Sequence, residues 1–399
     1  MSAMFSNRLP PHSEINPLSR AFASLRAAGV AIADLTESNP TTVGVRYPSD
    51  LFDALSGELV GRYAPQPLGI DIAREAVATD YARRGAGVHP EHVVLTASSS
   101  EAYSWLFKLL CNPGDGVLVP QPSYPLFEHL TRLESVQAIA YHLQYHGRWE
   151  IDFDSVNAAP PNVRALLLVS PNNPTGSFVT RKEAERLAEI CRARGWAVVA
   201  DEVFADYPLD AVAPPTESAI DLDVLSFTLG GASKSLGLPQ IKLGWIVVGG
   251  PQAERERALA ALEIIADTFL SVSTPVQVAA PSLLARGHVI REQIRRRAAD
   301  NLARARSLAR EYPSCTLLPV EGGWALVIRV PAFRSEEALA LELLEREQVL
   351  VHPGYFFDFP HESFIVVSLI PRPDQFSNAF ARTLKFASTP GSSVRGPKG

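Results

Sequence analysis

Apolar positions in the first fifty residues are scattered among prolines, with one helical spacing over Leu18 to Ala28. Helical patterns follow over Asp50 to Leu59 and, past the link YAPQPLG, over Ile70 to Arg84. From His92 the rhythm changes. Short apolar runs (VVLT, VLVP, ALLLVS, WAVVAD) alternate with amphipathic stretches (SSSEAYSWLFKLL, YPLFEHLTRL, TRKEAERLAEICRARG). Short strands buried on both faces, each followed by a helix, predict α/β architecture: a three-layer large domain with a mostly parallel sheet. Two further apolar runs, Val224 to Leu229 and Leu243 to Val248, flank a Gly/Ser turn and read as core strands.

After Pro251 the pattern turns to long helices, ending in the Arg-rich run Gly287 to Glu311, whose charge is expected on a solvated face. Strands over Thr316 to Pro319, Trp324 to Val330, Val349 to Val351 and Phe364 to Leu369, with a helix over Ser335 to Glu347, predict a smaller α+β domain. The irregular N-terminal segment is expected to pack on it. The expected division is a large domain over 50–275, a discontinuous small domain over 1–49 and 276–388, and a disordered tail over 389–399.

A length of 399 residues, 46% hydrophobic and 20% charged, is that of a soluble two-domain protein. The net charge of −6 argues against a general nucleic-acid binder. Cys111, Cys191 and Cys315 are odd in number and lie far apart, with neither metal-ligand nor disulfide spacing, so they read as reduced thiols of a cytoplasmic protein. No apolar run approaches membrane-spanning length, and no metal is expected.

In an open parallel sheet, ligands sit beyond the carboxyl ends of the strands. The turn after VVLT, Ala97 to Ser100, opens a helix and offers N–H groups and a positive dipole end to a phosphate. After VLVP, Tyr124 offers a flat ring. After ALLLVS, the rigid turn PNNPTG presents an amide. After WAVVA comes Asp201, a carboxylate at a strand end that needs a specific partner. Lys234 lies in the Gly/Ser turn, where partial desolvation frees a neutral amine to attack a carbonyl. Ser233 stands where a P-loop requires glycine, and no GxGxxG follows the first strand. A phosphate cup, a stacking ring, an amide, a buried carboxylate and a lysine together describe a site for pyridoxal phosphate.

These pieces resemble the class I/II aminotransferases of pyridoxal phosphate fold type I over nearly the whole chain. The matching stretches are YAPQPLG, LTASSSEA, NPGDGVLVPQPSYP, SPNNPTG, DEVFADY and SKSLGLPQIKLGW, in the family's order and spacing. The resemblance implies an enzyme that moves an amino group from an amino acid to a 2-oxo acid, with the cofactor held as a Schiff base on Lys234. It implies that Asp201 pairs with the pyridinium nitrogen, Asn173 bonds the ring hydroxyl, Tyr124 stacks on the ring, and Ser98, Ser99 and Ser100 bind phosphate. Phe204 and Ser233 fall at cofactor-contacting positions. Tyr63 would reach the phosphate of the other subunit of a homodimer.

Four positions depart from the family. Phe204 stands where a tyrosine is frequent, Lys242 where a phosphate-binding arginine is usual, and Gly231 where a serine is usual. Val366 stands where an arginine clamps the substrate carboxylate. Arg372 and Arg46 are candidate replacements for that arginine, and the turn ESNPT offers Ser38 and Asn39 to a substrate. A β-elimination lyase or decarboxylase of the same fold is the alternative activity. A catalytically inactive pyridoxal phosphate protein is the third.

Overall fold

The computed structural model describes residues 4, 6–9, 16–209, 218, 222–361 and 363–390. Of the tail expected over 389–399, residues 391–399 lie outside the described residues.

An eight-stranded sheet forms the centre. Its order is Val93–Thr96, Gly244–Gly249, Ser226–Gly231, Ala197–Asp201, Val163–Val169, Gly116–Gln121, Gln137–Tyr145 and Trp149–Ile151. Gly244–Gly249 runs antiparallel to both neighbours and Trp149–Ile151 is antiparallel to Gln137–Tyr145, while the other pairings are parallel. The central strands are buried at almost every position because both faces are covered. Ala165, Leu167 and Val169 pack with the Ser99–Leu110 and Gln252–Phe269 helices. Leu166 and Leu168, pointing the other way, pack with Leu187, Ala188 and Cys191 of the Arg181–Arg194 helix. The expected mostly parallel sheet is thus present. The two strands at its far edge were not anticipated, since Gln137–Tyr145 alternates exposed and buried residues and carries no continuous apolar run.

A four-stranded antiparallel sheet follows in the order Thr316–Leu317, Ala325–Arg329, Phe364–Ser368, His352–Pro353. Its core includes Leu326, Ile328, Ile365 and Val367 with Leu339, Leu343, Phe376 and Phe380 of the flanking helices. The N-terminal segment joins this body. Leu18 and Leu35 are part of the same core, and Ala33–Asp34 pairs in parallel with Val349–Leu350. The His288–Ala309 helix spans two cores, with Ile290 and Ile294 in one beside the large sheet and Ala298, Leu302 and Ala305 in the other.

Two local expectations are corrected. Asp50 to Leu59 is not an α-helix but two short 3₁₀ turns, Asp53–Leu55 and Glu58–Gly61. Gly57 between them adopts φ 136°, a conformation that ends any regular helix. The Arg-rich helix is not wholly a solvated face: Arg291 is buried and pairs with Asp80 at 2.7 Å.

Candidate active site

The carboxyl ends of four neighbouring strands open onto one cleft of ≈ 440 Å³. Its wall contains Ser98, Ser99, Ser100, Tyr124, Asn173, Asp201, Phe204, Ser233, Lys234 and Lys242, together with Ser38. Residues more than 120 positions apart, from Ser98 to Lys234, are brought together because most of them follow strands that run in the same direction; Lys242 comes from just before the antiparallel strand and Ser38 from the N-terminal segment. Tyr63, Asn39 and Arg372 lie elsewhere. Asn39 Oδ1 accepts from Thr41 N–H and Oγ–H within its own turn. Arg372 is exposed and packs beside Gly44, and Arg46 is exposed as well. Tyr63 is 78% exposed and lines a separate hollow with Trp105 and Leu270.

Ser98 is the N-cap of the Ser99–Leu110 helix, its Oγ accepting from Glu101 N–H at 3.1 Å. The Glu101 carboxylate in turn accepts from Ala97 N–H at 2.6 Å and Ser271 Oγ–H at 2.5 Å. One N–H of the expected cup is therefore already engaged, and Ser99 and Ser100 at the positive end of the helix remain as its donors. The turn lies against Gly244: a Cβ there would come within 2.9 Å of the Ser98 carbonyl carbon. Lys242, just before that glycine, reaches the cleft from a left-handed backbone conformation, φ 56°.

Asp201 ends its strand in a buried position, where desolvation pushes its carboxyl up to about 6. Val203 N–H and Tyr103 Oη–H donate to it at 3.1 and 3.0 Å, which opposes the rise. Among the described residues no cation lies within ion-pair distance of it. Tyr103 is a partner that sequence reasoning missed. Its signal is the inward face of the helix that begins at the cup.

Lys234 occupies the short Ala232–Ser235 turn of helix between two core strands. Burial lowers its pKa below the ordinary lysine value, while the negative charge of Asp201 opposes the shift. Its Nζ stands 5.5 Å from the Phe204 ring and 5.2 Å from the Trp324 ring. Tyr207 Oη–H donates to the Lys234 carbonyl at 2.7 Å, and Ser235 Oγ–H to Asp206 at 2.7 Å, so the turn is held from behind. Trp324 was also missed; the pair of glycines before it, at the start of a strand, was its only mark.

Of the two asparagines in PNNPTG, Asn172 is buried and structural. It donates to Pro122 O at 3.0 Å and Thr175 Oγ at 2.9 Å, and it accepts from Ser123 at 3.0 Å. Its neighbour Asn173 lines the cleft. Across from the large sheet, the wall is completed by Ala325, His352 and Val366 from the smaller sheet and by Trp324 and Phe357 from segments beside it.

The donor set suits pyridoxal phosphate: helix-end N–H groups and a lysine for a dianion, a buried carboxylate lacking a cation, and a desolvated amine for an aldehyde. Fold and site thus define a pyridoxal phosphate enzyme of the fold type I architecture. The model of the family "Aminotransferase class I and II" matches residues 46–375, and the chain belongs to that family. It is a pyridoxal phosphate-dependent aminotransferase. It is 26% identical over 381 residues to the glutamate-pyruvate aminotransferase AlaA of Escherichia coli, covering 93% of this chain and 94% of that protein. It is 24% identical to the alanine aminotransferase of Mycobacterium tuberculosis, over 93% of this chain and 89% of that one. Among solved structures, an Escherichia coli aminotransferase superposes with a TM-score of 0.84 at 25% identity, covering 94% of this chain and 95% of the other. The alanine aminotransferase of Pyrococcus furiosus does so with 0.84 at 22% identity, over 93% and 95%. No helix of the described residues is long and apolar enough to cross a membrane.

Proposed function

We propose that this aminotransferase works through Lys234, with Asp201, Asn173, Tyr124, Phe204, Ser233, Lys242 and Ser98–Ser100 holding the cofactor. The observation that carries the assignment is the pairing in one cleft of a buried carboxylate without a cation and a buried amine with depressed basicity. When bound, pyridoxal phosphate supplies an aldehyde that carries the amino group and a cationic ring that withdraws electrons from the substrate Cα. Lys234 Nζ, neutral more readily than a surface lysine, removes the Cα proton and later redelivers it. Asp201, with its folded-state pKa raised by burial, keeps a ring nitrogen protonated once that cation is beside it. Ser99 and Ser100 N–H and Lys242 anchor the phosphate. Lys242 does so as a point charge, without the fork of an arginine. Tyr207, by fixing the Lys234 carbonyl, positions the amine.

The relatives named for glutamate, pyruvate and alanine make these the first donors and acceptor to test. We also place the chain in the cytoplasm, on its free cysteines, and divide it near residue 275 into a large cofactor-binding domain and a small domain that includes residues 1–49. A homodimer with Tyr63 at the partner's phosphate is supported by the exposed apolar surface around it. Leu59 and Tyr63 are exposed, and Phe269, half exposed, stacks on Trp105 in the wall of the Tyr63 hollow.

The test is the visible spectrum of the cofactor-loaded protein with a panel of amino acids, followed by borohydride reduction and peptide mapping. Amino acids that convert the cofactor to its amine form, with the reduced adduct on Lys234, are expected. Lys234→Ala should abolish turnover and leave the circular dichroism spectrum unchanged. Turnover that persists in that variant would reject the lysine, and product formation without the amine form would favour a lyase.

A further inference from the structure

The cleft has a wall for the cofactor but, among the described residues, no arginine for the substrate. The side chains lining it that can carry positive charge are Lys234, Lys242 and His352. Lys234 performs the amine chemistry. Lys242 belongs to the phosphate end, two residues before the glycine that packs on Ser98. His352 stands on the opposite wall, in the small sheet. It is the cross-strand partner of Val366 in the antiparallel pair, so the two side chains project from the same face, and both line the cleft. Val366 is 2% exposed and apolar. The His352 ring lies tilted on Phe356 at 5.8 Å and edge-on to Phe357 at 5.6 Å, and it makes no hydrogen bond to a described residue. Its position is therefore fixed by packing while its nitrogens remain available.

We propose that His352 binds the α-carboxylate of the substrate, donating a ring N–H to it, so that this enzyme anchors amino acids through an imidazole beside an apolar residue. The inference rests on the transaminase reading of the same cleft and names its specificity-determining residue. Burial holds the imidazole below its ordinary pKa, and the carboxylate of Asp34, whose strand pairs with Val349–Leu350 just ahead of His352, opposes that shift. On the helix packed behind, Glu336 is engaged by Tyr355 and Phe364 N–H. Across the cleft stand Lys234, Lys242, Asp201 and Tyr124. A bound carboxylate favours the imidazolium, so carboxylate binding takes up a proton and strengthens as pH falls.

Two unreactive probes of the same shape separate charge recognition from turnover: 3-phenylpropionate and 3-phenylpropanamide, titrated by calorimetry into the cofactor-loaded enzyme. The aromatic side chains of Tyr124, Phe127, Phe204, Trp324 and Phe357 give their ring a common place. The wild type should prefer the carboxylate by roughly 10- to 100-fold at about pH 6 and lose most of that preference by about pH 8.5. In His352→Leu the preference should vanish while the amide still binds. In His352→Gln a weaker preference should remain, without pH dependence. Equal affinity for the two probes in the wild type, absence of carboxylate binding, or a preference that survives His352→Leu would overturn the proposal. Because the probes do not react, these outcomes are separate from failure of every amino acid to be consumed, which would instead overturn the transaminase reading.

Discussion

At the scale of single residues, the site is built from groups kept in unfavourable states. Asp201 carries the clearest cost. With its folded pKa pushed up to about 6 from an ordinary 3.8, its contribution favours folding below about pH 4 and is lost as pH rises through about 6. Above neutrality the cofactor-free protein therefore carries a buried, ionised carboxylate at a penalty on the order of 1–3 kcal/mol. Asp201→Asn is expected to raise the melting temperature of the cofactor-free protein at about pH 8 but hardly at about pH 4, below which the carboxyl is protonated in both states, and to weaken cofactor binding and turnover. Thermal melts at the two pH values check this. A variant destabilised equally at both would show that the carboxyl is not strained in the empty cleft. Lys234 is the complementary case, since burial lowers its basicity while nearby Asp201 limits the fall. Removing the one charge would shift the other.

At the scale of elements, much of the arrangement was legible because the chain writes it locally. The run VVLT is a strand to the residue, WAVVAD is one but for Trp196, and Ser98 caps the helix that follows the first of them. Strand ends in a parallel sheet share one edge, so Lys234, Asp201, Asn173 and Ser98 could be assigned to one cleft before any coordinates. What stayed hidden depended on contacts between distant segments. Tyr103 reads as a helical core tyrosine until its hydroxyl meets Asp201, and His352 reads as a strand-end histidine until its register opposite Val366 is known. Gly244 belongs to the same class. Its missing side chain lets the cup turn settle on the antiparallel strand, and Gly244→Ala would drive a Cβ into the Ser98 backbone and Thr96 Oγ, each 2.9 Å away. Overpacking of this kind costs about 1–3 kcal/mol, so cofactor affinity should fall roughly 10- to 100-fold in a direct titration. Unchanged affinity would mean that the turn is not held by this contact.

At the scale of the whole molecule, the cleft lies where two bodies meet. One wall comes from the large sheet, and the other, with His352 and Val366, comes from the small sheet, whose core also contains Leu18 and Leu35 from the N-terminal segment. The Ser368 N–H donates to Leu35 O at 2.6 Å, which ties that segment to the strand bearing Val366. A single chain nevertheless leaves Tyr63 exposed and outside the cleft, in a separate hollow. If Tyr63 serves the partner's cup, the two defects Tyr63→Ala and Lys234→Ala reside in different halves of each site and complement each other. A dimer formed from one subunit of each variant has one site with both residues intact and one with neither. Each variant alone is expected to be inactive or nearly so. After dissociation and random reassociation of equal amounts, about half of the dimers are mixed, and the sample should regain about a quarter of the wild-type turnover. Sedimentation before and after mixing confirms that dimers are the species assayed. No recovery above the sum of the two variants would place Tyr63 in its own subunit's structure and leave each cleft complete within one chain.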